Sequence, residues 1–213
     1  MRTSQKILTI LLWCVVPLAM VSVIAAGLLH RDGVPATNPD LPVLGTVPAF
    51  QFHDQDDRPV THAFFRGSPW VADFIFTRCG GQCPLMSAKM SALQKSLPPQ
   101  VKFVSFSLDP AYDTAAVLKE YARAFSADGS RWKFLTGDSD AVMAEARGML
   151  LTAIPATADQ PIIHDGRFVL IDARCRLRGQ YYGNDPQALA DLTRDAKRLV
   201  AEDAQSGSLD APQ

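Results

Sequence analysis

The order of strand-like and helix-like segments predicts an α/β fold in which a small mixed sheet carries helices on both faces. Three runs with strand character, residues 70–76, 101–108 and 132–135, are each followed by a segment with helical periodicity. In addition, two cysteines, Cys79 and Cys83, lie where the first of these strands passes into its helix. A cysteine pair at such a turn of an α/β domain predicts a thioredoxin-like fold.

A β-hairpin is predicted at the start of this domain. Residues 49–54 alternate between apolar and polar side chains, and a cluster of turn-forming residues follows at 55–58. A second short strand at 59–61 completes the pattern of a hairpin.

Four helices are predicted from their start and stop signals. Pro84 suits the first position of the helix after the cysteines, because proline has no backbone N–H that would lack an intrahelical partner there. Asp113 is placed to cap a helix that runs to about residue 125, and Gly137-Asp138 opens another. Asn184-Asp185-Pro186 is a strong start signal for the last helix, which is predicted to end near residue 202.

A late β-hairpin insertion is predicted between the third and the last helix. Residues 162–164 lead through Asp165-Gly166, a favoured two-residue hairpin turn, into a strand at 168–172. A second turn near 173–176 precedes another strand-like segment at 177–182, so the chain is expected to run down the sheet and back.

The N-terminal residues predict a membrane anchor. Arg2 and Lys6 precede an uncharged, mostly apolar run at 7–29, which is long enough to cross a bilayer. Positive charge ahead of the span predicts a cytoplasmic N-terminus and a domain on the outer side. The run is long for a signal peptide, although Ala25 and Gly27 form a pattern compatible with cleavage. We therefore expect a single-pass protein of the bacterial inner membrane with its soluble domain in the periplasm.

These observations divide the chain into an anchor at 1–30, a linker at 31–48, a domain at 49–203 and a disordered tail at 204–213. The 213 residues suffice for one domain with appendages. The net charge of -1 and the lack of a Lys/Arg cluster give no reason to expect nucleic acid as a partner. Four cysteines are too few for a disulfide scaffold at this length, so the pair in the turn is interpreted as functional.

The spacing of Cys79 and Cys83 leaves two functions open. Cysteines four residues apart can bond each other or hold one metal ion together. The helix N-terminus lowers a thiol pKa, which serves both purposes. Compared with the dithiol of thioredoxins the spacing is one residue longer, and Gly80 and Gly81 add backbone freedom. The wider separation suits metal chelation at least as well as disulfide exchange.

His164 is the candidate for a third ligand. It lies in the late hairpin, and in thioredoxin-like folds the loop before that hairpin packs near the dithiol, an analogy at the level of the fold. Two thiolates and an imidazole favour copper, as Cu(I) or Cu(II), whereas structural zinc would require a fourth ligand. If His164 joins Cys79 and Cys83 as a ligand, copper is therefore the favoured metal; by itself a lone histidine is as readily a surface or structural residue.

Four sequence blocks in order resemble the SCO/SenC family of copper chaperones. They are D-F-I-F-T-x-C-x-x-x-C-P-x-M at 73–86, S-L-D-P-x-x-D-T at 107–114, W-K-F-L-T-G at 132–137 and H-x-x-x-F-x-L-I-D at 164–172. The resemblance covers about residues 50–200, and a membrane anchor ahead of a thioredoxin-like domain is also the layout of this family.

The resemblance implies that Cys79, Cys83 and His164 bind one copper ion, and that the protein is a metallochaperone that delivers copper to, or prepares, the CuA site of cytochrome c oxidase. The expected partners are the CuA-bearing subunit, another periplasmic copper carrier and a thioredoxin-like reductant. Asp109 matches the second block and is interpreted either as a turn residue or as a residue near the metal or partner surface. Cys175 has no evident partner and is interpreted as a turn residue.

The alternative function is a thiol–disulfide oxidoreductase that reduces the CuA-ligand cysteines or other periplasmic thiols. His164 discriminates between the two hypotheses, because disulfide exchange does not require an imidazole ligand.

Overall fold

A computed structural model describes residue 13 and residues 41–156 and 162–209 of the chain. In chain order its strands and helices are β1 (Gly45–Thr46), β2 (Gln51–His53), β3 (Pro59–Thr61), β4 (Trp70–Ile75), α1 (Gln82–Ser96), β5 (Lys102–Ser107), α2 (Ala115–Ala124), β6 (Trp132–Leu135), α3 (Ser139–Gly148), β7 (Ala153–Ile154), β8 (Ile163–His164), β9 (Arg167–Ile171), β10 (Arg176–Tyr182) and α4 (Pro186–Leu209). A short 3₁₀ turn at His62–Phe64 follows β3.

A six-stranded mixed sheet with the order β1-β10-β9-β4-β5-β6 organises the domain. β4, β5 and β6 run parallel, whereas β9, β10 and β1 extend the sheet by antiparallel pairing. All residues of β4 are buried, as expected for a central strand covered on both faces. In the register of β4 and β5, Ile75 pairs with Ser107, so the two loops that follow these strands leave the sheet side by side.

Helices cover both faces of the sheet, which confirms the predicted α/β architecture. On one face a core cluster contains Met90 of α1, Leu118 of α2 and Leu192 of α4. On the other face the cluster contains Val142 of α3 and Phe52 of β2. Alternate residues of the central strands contribute to the two clusters, because successive side chains of a strand point to opposite faces.

The predicted N-terminal hairpin is present as β2 and β3, which pair in antiparallel register from Gln51 opposite Thr61 to His53 opposite Pro59. α1 begins at Gln82, two residues before the predicted start at Pro84. Cys83 therefore lies inside the first turn of the helix, where backbone N–H groups have no intrahelical acceptor.

The predicted pairing of residues 162–164 with the strand at 168–172 is wrong. β8 does not pair with β9 through Asp165-Gly166; it pairs with β7, with His164 opposite Ala153. β8 cannot pair with β9, because β4 and β10 already pair with the two edges of β9. The small ladder of β7 and β8 therefore stands apart from the main sheet and carries His164 at its end.

The predicted linker and domain boundary also differ from the structure. β1 lies within the segment 31–48 and pairs with the edge of β10. The guanidinium of Arg178 in addition donates hydrogen bonds to the backbone oxygen of Leu41, from Nη2 at 2.8 Å. β1 thus covers the edge of β10, whose backbone groups would otherwise lack strand partners. The compact domain therefore begins at residue 41 and not at residue 49.

At the C-terminus, α4 continues to Leu209, into the segment 204–213 that was predicted to be disordered. Ala204 and Gln205 are good helix formers and extend the last turns. Residues 210–213, the predicted anchor at 1–30 except residue 13, and the linker residues 31–40 lie outside the described residues. No helix in the described part of the chain combines the length and the apolarity that crossing a membrane requires.

Candidate metal centre

The loop between β4 and α1 carries both cysteines of the predicted site. β4 ends at Ile75, and the backbone N–H of Cys79 donates to the oxygen of Phe76 at 3.1 Å, which turns the chain toward the helix. Cys79 is half-buried, while the Cys83 side chain in the first turn of α1 is fully buried. Both are free thiols.

The two thiols have opposite electrostatic surroundings. Burial raises the pKa of the Cys79 thiol, but hydrogen bonds from backbone N–H groups in residues 81–83 outweigh it and hold the pKa below its usual value. Deeper burial raises the pKa of the Cys83 thiol far above its usual range, and the neighbouring Cys79 sulfur adds to the effect. Cys79 is therefore the thiol that ionises first, and Cys83 keeps its proton until a metal ion or another cation replaces it.

His164 at the end of β8 faces Cys83. Its Nε2 atom lies 3.2 Å from the Cys83 sulfur, and its Nδ1 atom lies 3.1 Å from the backbone oxygen of Asp165. Since a carbonyl only accepts, Nδ1 carries the proton, and Nε2 is left as the acceptor for the Cys83 S–H. The ring of Phe76 packs edge-on against the imidazole, with centroids 5.7 Å apart.

The surroundings of His164 favour a neutral ring. Burial lowers the pKa of the imidazole, and the backbone oxygen and carboxylate of Asp165 only partly oppose this. A neutral imidazole with its Nδ1–H held by a carbonyl presents Nε2 as a metal ligand, the arrangement that fixes the tautomer in metal sites.

The structure thus brings together the three residues predicted as ligands. The sulfur atoms of Cys79 and Cys83 and a ring nitrogen of His164 all lie within 4.8 Å of one another. Among the described residues this is the one group of three or more cysteine, histidine and acidic side chains close enough to share a metal ion. Cys175 lies elsewhere, buried in the turn between β9 and β10, as predicted for a turn residue.

Asp113 has a role that sequence reasoning missed. Its side chain is fully buried and does not cap α2; the cap is Thr114, whose hydroxyl accepts from the N–H of Val117. The Asp113 carboxylate accepts hydrogen bonds from the backbone and hydroxyl of Thr77 and from the hydroxyl of Ser107. It therefore fastens the start of the cysteine loop to the end of β5.

Asp109 adds a second contact, at the protein surface, between the cysteine loop and the segment that follows β5. Its carboxylate accepts from Nε of Arg78 at 2.9 Å, and the Arg78 guanidinium lies 4.4 Å from the ring centroid of Tyr112. Asp109 thus contacts the residue that precedes Cys79 and not a candidate ligand. The parallel pairing of β4 and β5 is the signal that would have found both acids, because the ends of parallel strands meet at one edge of the sheet.

The segment around His164 is held by a second set of contacts. The guanidinium of Arg167 donates to both carboxylate oxygens of Asp165 and, at 2.6 Å, to the side-chain oxygen of Gln180. The N–H of Gly183 donates to the backbone oxygen of Gly166 at 2.8 Å. The imidazole is thereby connected to β10 and to the turn that follows it.

The sequence and the fold match one family. Residues 42–201 match the SCO1/SenC family. A SCO1/SenC family lipoprotein from Bacillus anthracis is 35% identical, with a TM-score of 0.68 over 75% of this chain and 97% of that structure. BsSco is 30% identical, with a TM-score of 0.68 over 76% of this chain and 97% of its own; its structure is described as that of a member of the Sco family of cytochrome c oxidase assembly proteins with a disulfide switch.

ScoI from Bradyrhizobium japonicum, solved with copper bound, is 25% identical, with a TM-score of 0.59 over 70% of this chain and 99% of that structure. These similarities cover 70–76% of the chain, and they confirm the predicted thioredoxin-like type of α/β fold.

Proposed function

This chain belongs to the SCO1/SenC family, and we propose that it is a copper-binding metallochaperone that delivers copper to, or prepares, the CuA site of cytochrome c oxidase. The observation that carries the proposal is the convergence of two thiol sulfurs and an imidazole nitrogen within 4.8 Å of one another. The two sulfur atoms belong to residues at or just before the start of α1, and the nitrogen atom lies in the separate pair of strands β7 and β8. The three atoms therefore come together only in the folded protein.

The donor set fits copper. Thiolates are soft ligands and imidazole is borderline, a combination that copper accepts with three ligands, whereas structural zinc sites close with four. Cys79, Cys83 and His164 would hold the ion, and binding would release the thiol protons. The copper-bound ScoI of Bradyrhizobium japonicum supports the same cargo for this chain.

The unequal exposure of the cysteines suggests how copper leaves the site. Cys79 is half-exposed and has a lowered pKa, whereas Cys83 is buried. An incoming thiolate of an acceptor would reach the ion from the side of Cys79 and replace that ligand first. The CuA-bearing subunit is the proposed acceptor, supported by the description of BsSco as a member of a family of cytochrome c oxidase assembly proteins.

The proposed location is the periplasmic side of a bacterial inner membrane, with the apolar segment at 7–29 as a single-pass anchor. The relative from Bacillus anthracis is a lipoprotein, which supports membrane attachment of this chain. In this compartment another copper carrier would supply the ion and a thioredoxin-like reductant would keep the dithiol reduced.

Copper titration of the reduced protein tests the proposal. Wild type is expected to bind about one copper ion, and Cys79→Ser or Cys83→Ser is expected to abolish tight binding, because one thiolate and one imidazole do not saturate the ion. His164→Ala is expected to weaken binding and to change the copper absorption spectrum. Cys175→Ser is the matched control, since this buried cysteine lies outside the group of ligands. Tight stoichiometric binding by the double variant with serine at 79 and 83 would refute the proposal.

A thiol–disulfide oxidoreductase remains the second candidate, because the difference in pKa between an accessible Cys79 and a buried Cys83 also suits disulfide exchange. Oxidase activity of cells that carry each variant separates the two functions. If His164→Ala cells kept full CuA-oxidase activity while both cysteine variants lost it, the redox function would replace copper delivery. Rescue of a deletion strain by added copper, and not by a thiol reductant, would favour delivery.

A further inference from the structure

The turn between β10 and α4 contacts the segment that carries His164. The N–H of Gly183 in this turn donates to the backbone oxygen of Gly166 at 2.8 Å. Gly166 follows His164 by two residues and directly precedes β9. The position of the imidazole is thus tied to a part of the chain that contributes no ligand.

The approach of the two backbones requires the absence of a side chain at residue 183. A Cβ atom on Gly183 would lie 2.9 Å from the backbone oxygen of Gly166, closer than such contacts occur. It would also lie 3.2 Å from the ring of Phe168 and 3.5 Å from Cγ of Met86. The contact with Met86 is of ordinary van der Waals length, whereas the contact with Phe168 is tighter than usual, and this ring is fully buried in a close-packed core.

The backbone conformation at residue 183 does not itself require glycine. Among the glycines of the described residues, positive φ is found at Gly67 and not at Gly183. Alanine at residue 183 would therefore be free of backbone strain, and its one penalty would be the crowding against Gly166 and Phe168.

The same turn is fastened to the helix that carries Cys83. The ammonium group of Lys89 in α1 donates a hydrogen bond to the backbone oxygen of Gly183. Gly183 thus accepts from the element that bears a thiol ligand and donates to the segment that bears the imidazole. This places it as a link between the two halves of the site.

We propose that Gly183 is a positioning residue of the metal site, which sets the distance of the His164 imidazole from the Cys83 sulfur through its backbone contact with Gly166. This inference rests on the proposed copper-binding function. It predicts that a methyl group at residue 183 displaces the Gly166 carbonyl, and with it His164, while the cysteine loop stays in place.

Copper affinity of the variant Gly183→Ala, measured by competition with a chelator, tests the inference. Affinity is expected to fall by at least about tenfold, as for other residues that orient metal ligands. Gly45→Ala is the matched control, because a Cβ atom on Gly45 meets nothing within 4 Å. Wild-type affinity in Gly183→Ala would overturn the inference.

A double-variant cycle separates positioning from a general loss of stability. If Gly183 acts through His164, adding Gly183→Ala to His164→Ala should change affinity by less than about twofold, within the error of additivity. Full additivity of the two losses would overturn the inference. Failure of the proposed function is distinguishable, since wild type would then not bind copper or His164→Ala would bind it as tightly as wild type.

Metal-free protein provides a readout that does not depend on copper. The ¹⁵N resonances of the His164 ring are expected to shift in Gly183→Ala and to stay unchanged in Gly45→Ala. Should Gly183→Ala fail to fold, Lys89→Met replaces it, because this change removes only the donor to the Gly183 oxygen. Unchanged His164 resonances in the folded variant would contradict the inference.

Discussion

At the scale of single residues, Asp113 is the acid on which the cysteine loop depends. Its buried carboxylate accepts from the Thr77 backbone at 3.1 Å and from the Ser107 hydroxyl at 2.6 Å, in addition to the Thr77 hydroxyl. Hydrogen bonds to a charged and buried acceptor are among the stronger ones in proteins. The loop that bears Cys79 is therefore held by an acid that is not itself a candidate ligand.

Asp113→Asn is expected to lower the free energy of unfolding by roughly 1.5–3 kcal/mol, because an amide offers one acceptor oxygen where the carboxylate offers two. Urea denaturation measures the change. Asp138→Asn is the matched control, since Asp138 caps α3 at the surface and asparagine caps a helix equally well. Equal stability of the two variants would show that the Asp113 network contributes little.

At the scale of elements, Arg178 adds a side-chain contact to the backbone pairing that attaches β1 to β10. The Arg178 guanidinium is buried, donates to the backbone oxygen of Leu41, and pairs with Asp172 at 3.0 Å. Arg176 pairs with the same carboxylate at 2.8 Å but is more exposed. One acid thus joins the turn after β9 to the segment that leads into β1.

Arg178→Ala is expected to lower the free energy of unfolding by roughly 1.5–3 kcal/mol. The variant leaves the Leu41 oxygen without this donor, and it leaves the Asp172 carboxylate without its buried positive partner. Arg176→Ala is the control and should cost less than Arg178→Ala, because the Arg176 guanidinium is half-exposed and Arg178 still pairs with Asp172. Chemical denaturation gives both values. Limited proteolysis should in addition cleave the segment before β1 faster in Arg178→Ala, and equal cleavage rates in the two variants would contradict this role.

At the scale of the whole molecule, Asp73 makes stability depend on pH. Its side chain in β4 is fully buried, and a side-chain hydrogen bond with Ser105 is outweighed by the loss of solvent. Burial raises the pKa of Asp73 from 3.8 to about 7. Between pH 3.8 and about 7 the folded protein holds a proton on Asp73 that the unfolded chain has lost. The contribution of Asp73 to stability is therefore fully present below pH 3.8 and is lost as pH rises toward 7.

Asp73→Asn is expected to flatten this decline, because the amide carries no charge at any pH. At pH 8 the metal-free variant should melt above wild type, by about 2–4 °C for each kcal/mol of relieved burial cost. Thermal unfolding between about pH 5 and pH 8 measures the difference. A variant with the same pH dependence as wild type would show that Asp73 does not hold a proton in the folded state.

Most features that were predicted correctly from the sequence are patterns formed by residues close together in the chain. The strand, cysteine pair and proline at 70–84 predicted a dithiol at a strand-to-helix turn, and strand and helix patterns predicted the α/β class. These features depend on neighbours in the chain, so the order of residues is enough to recognise them. His164 as the third member was predicted by analogy with the fold and by the family resemblance of the block at 164–172, and the structure places it beside Cys83.

Tertiary structure decided what local signals could not. Asp165-Gly166 has the chemistry of a hairpin turn, yet β9 is occupied on both edges, so β8 pairs with β7 and turns His164 toward the cysteines. Asp113 resembles a helix cap and instead binds Thr77, because the ends of two parallel strands meet. The sequence by itself determined the ligand types and the fold class, while the contacts that place the ligands join residues far apart in the chain and exist only once the sheet has formed.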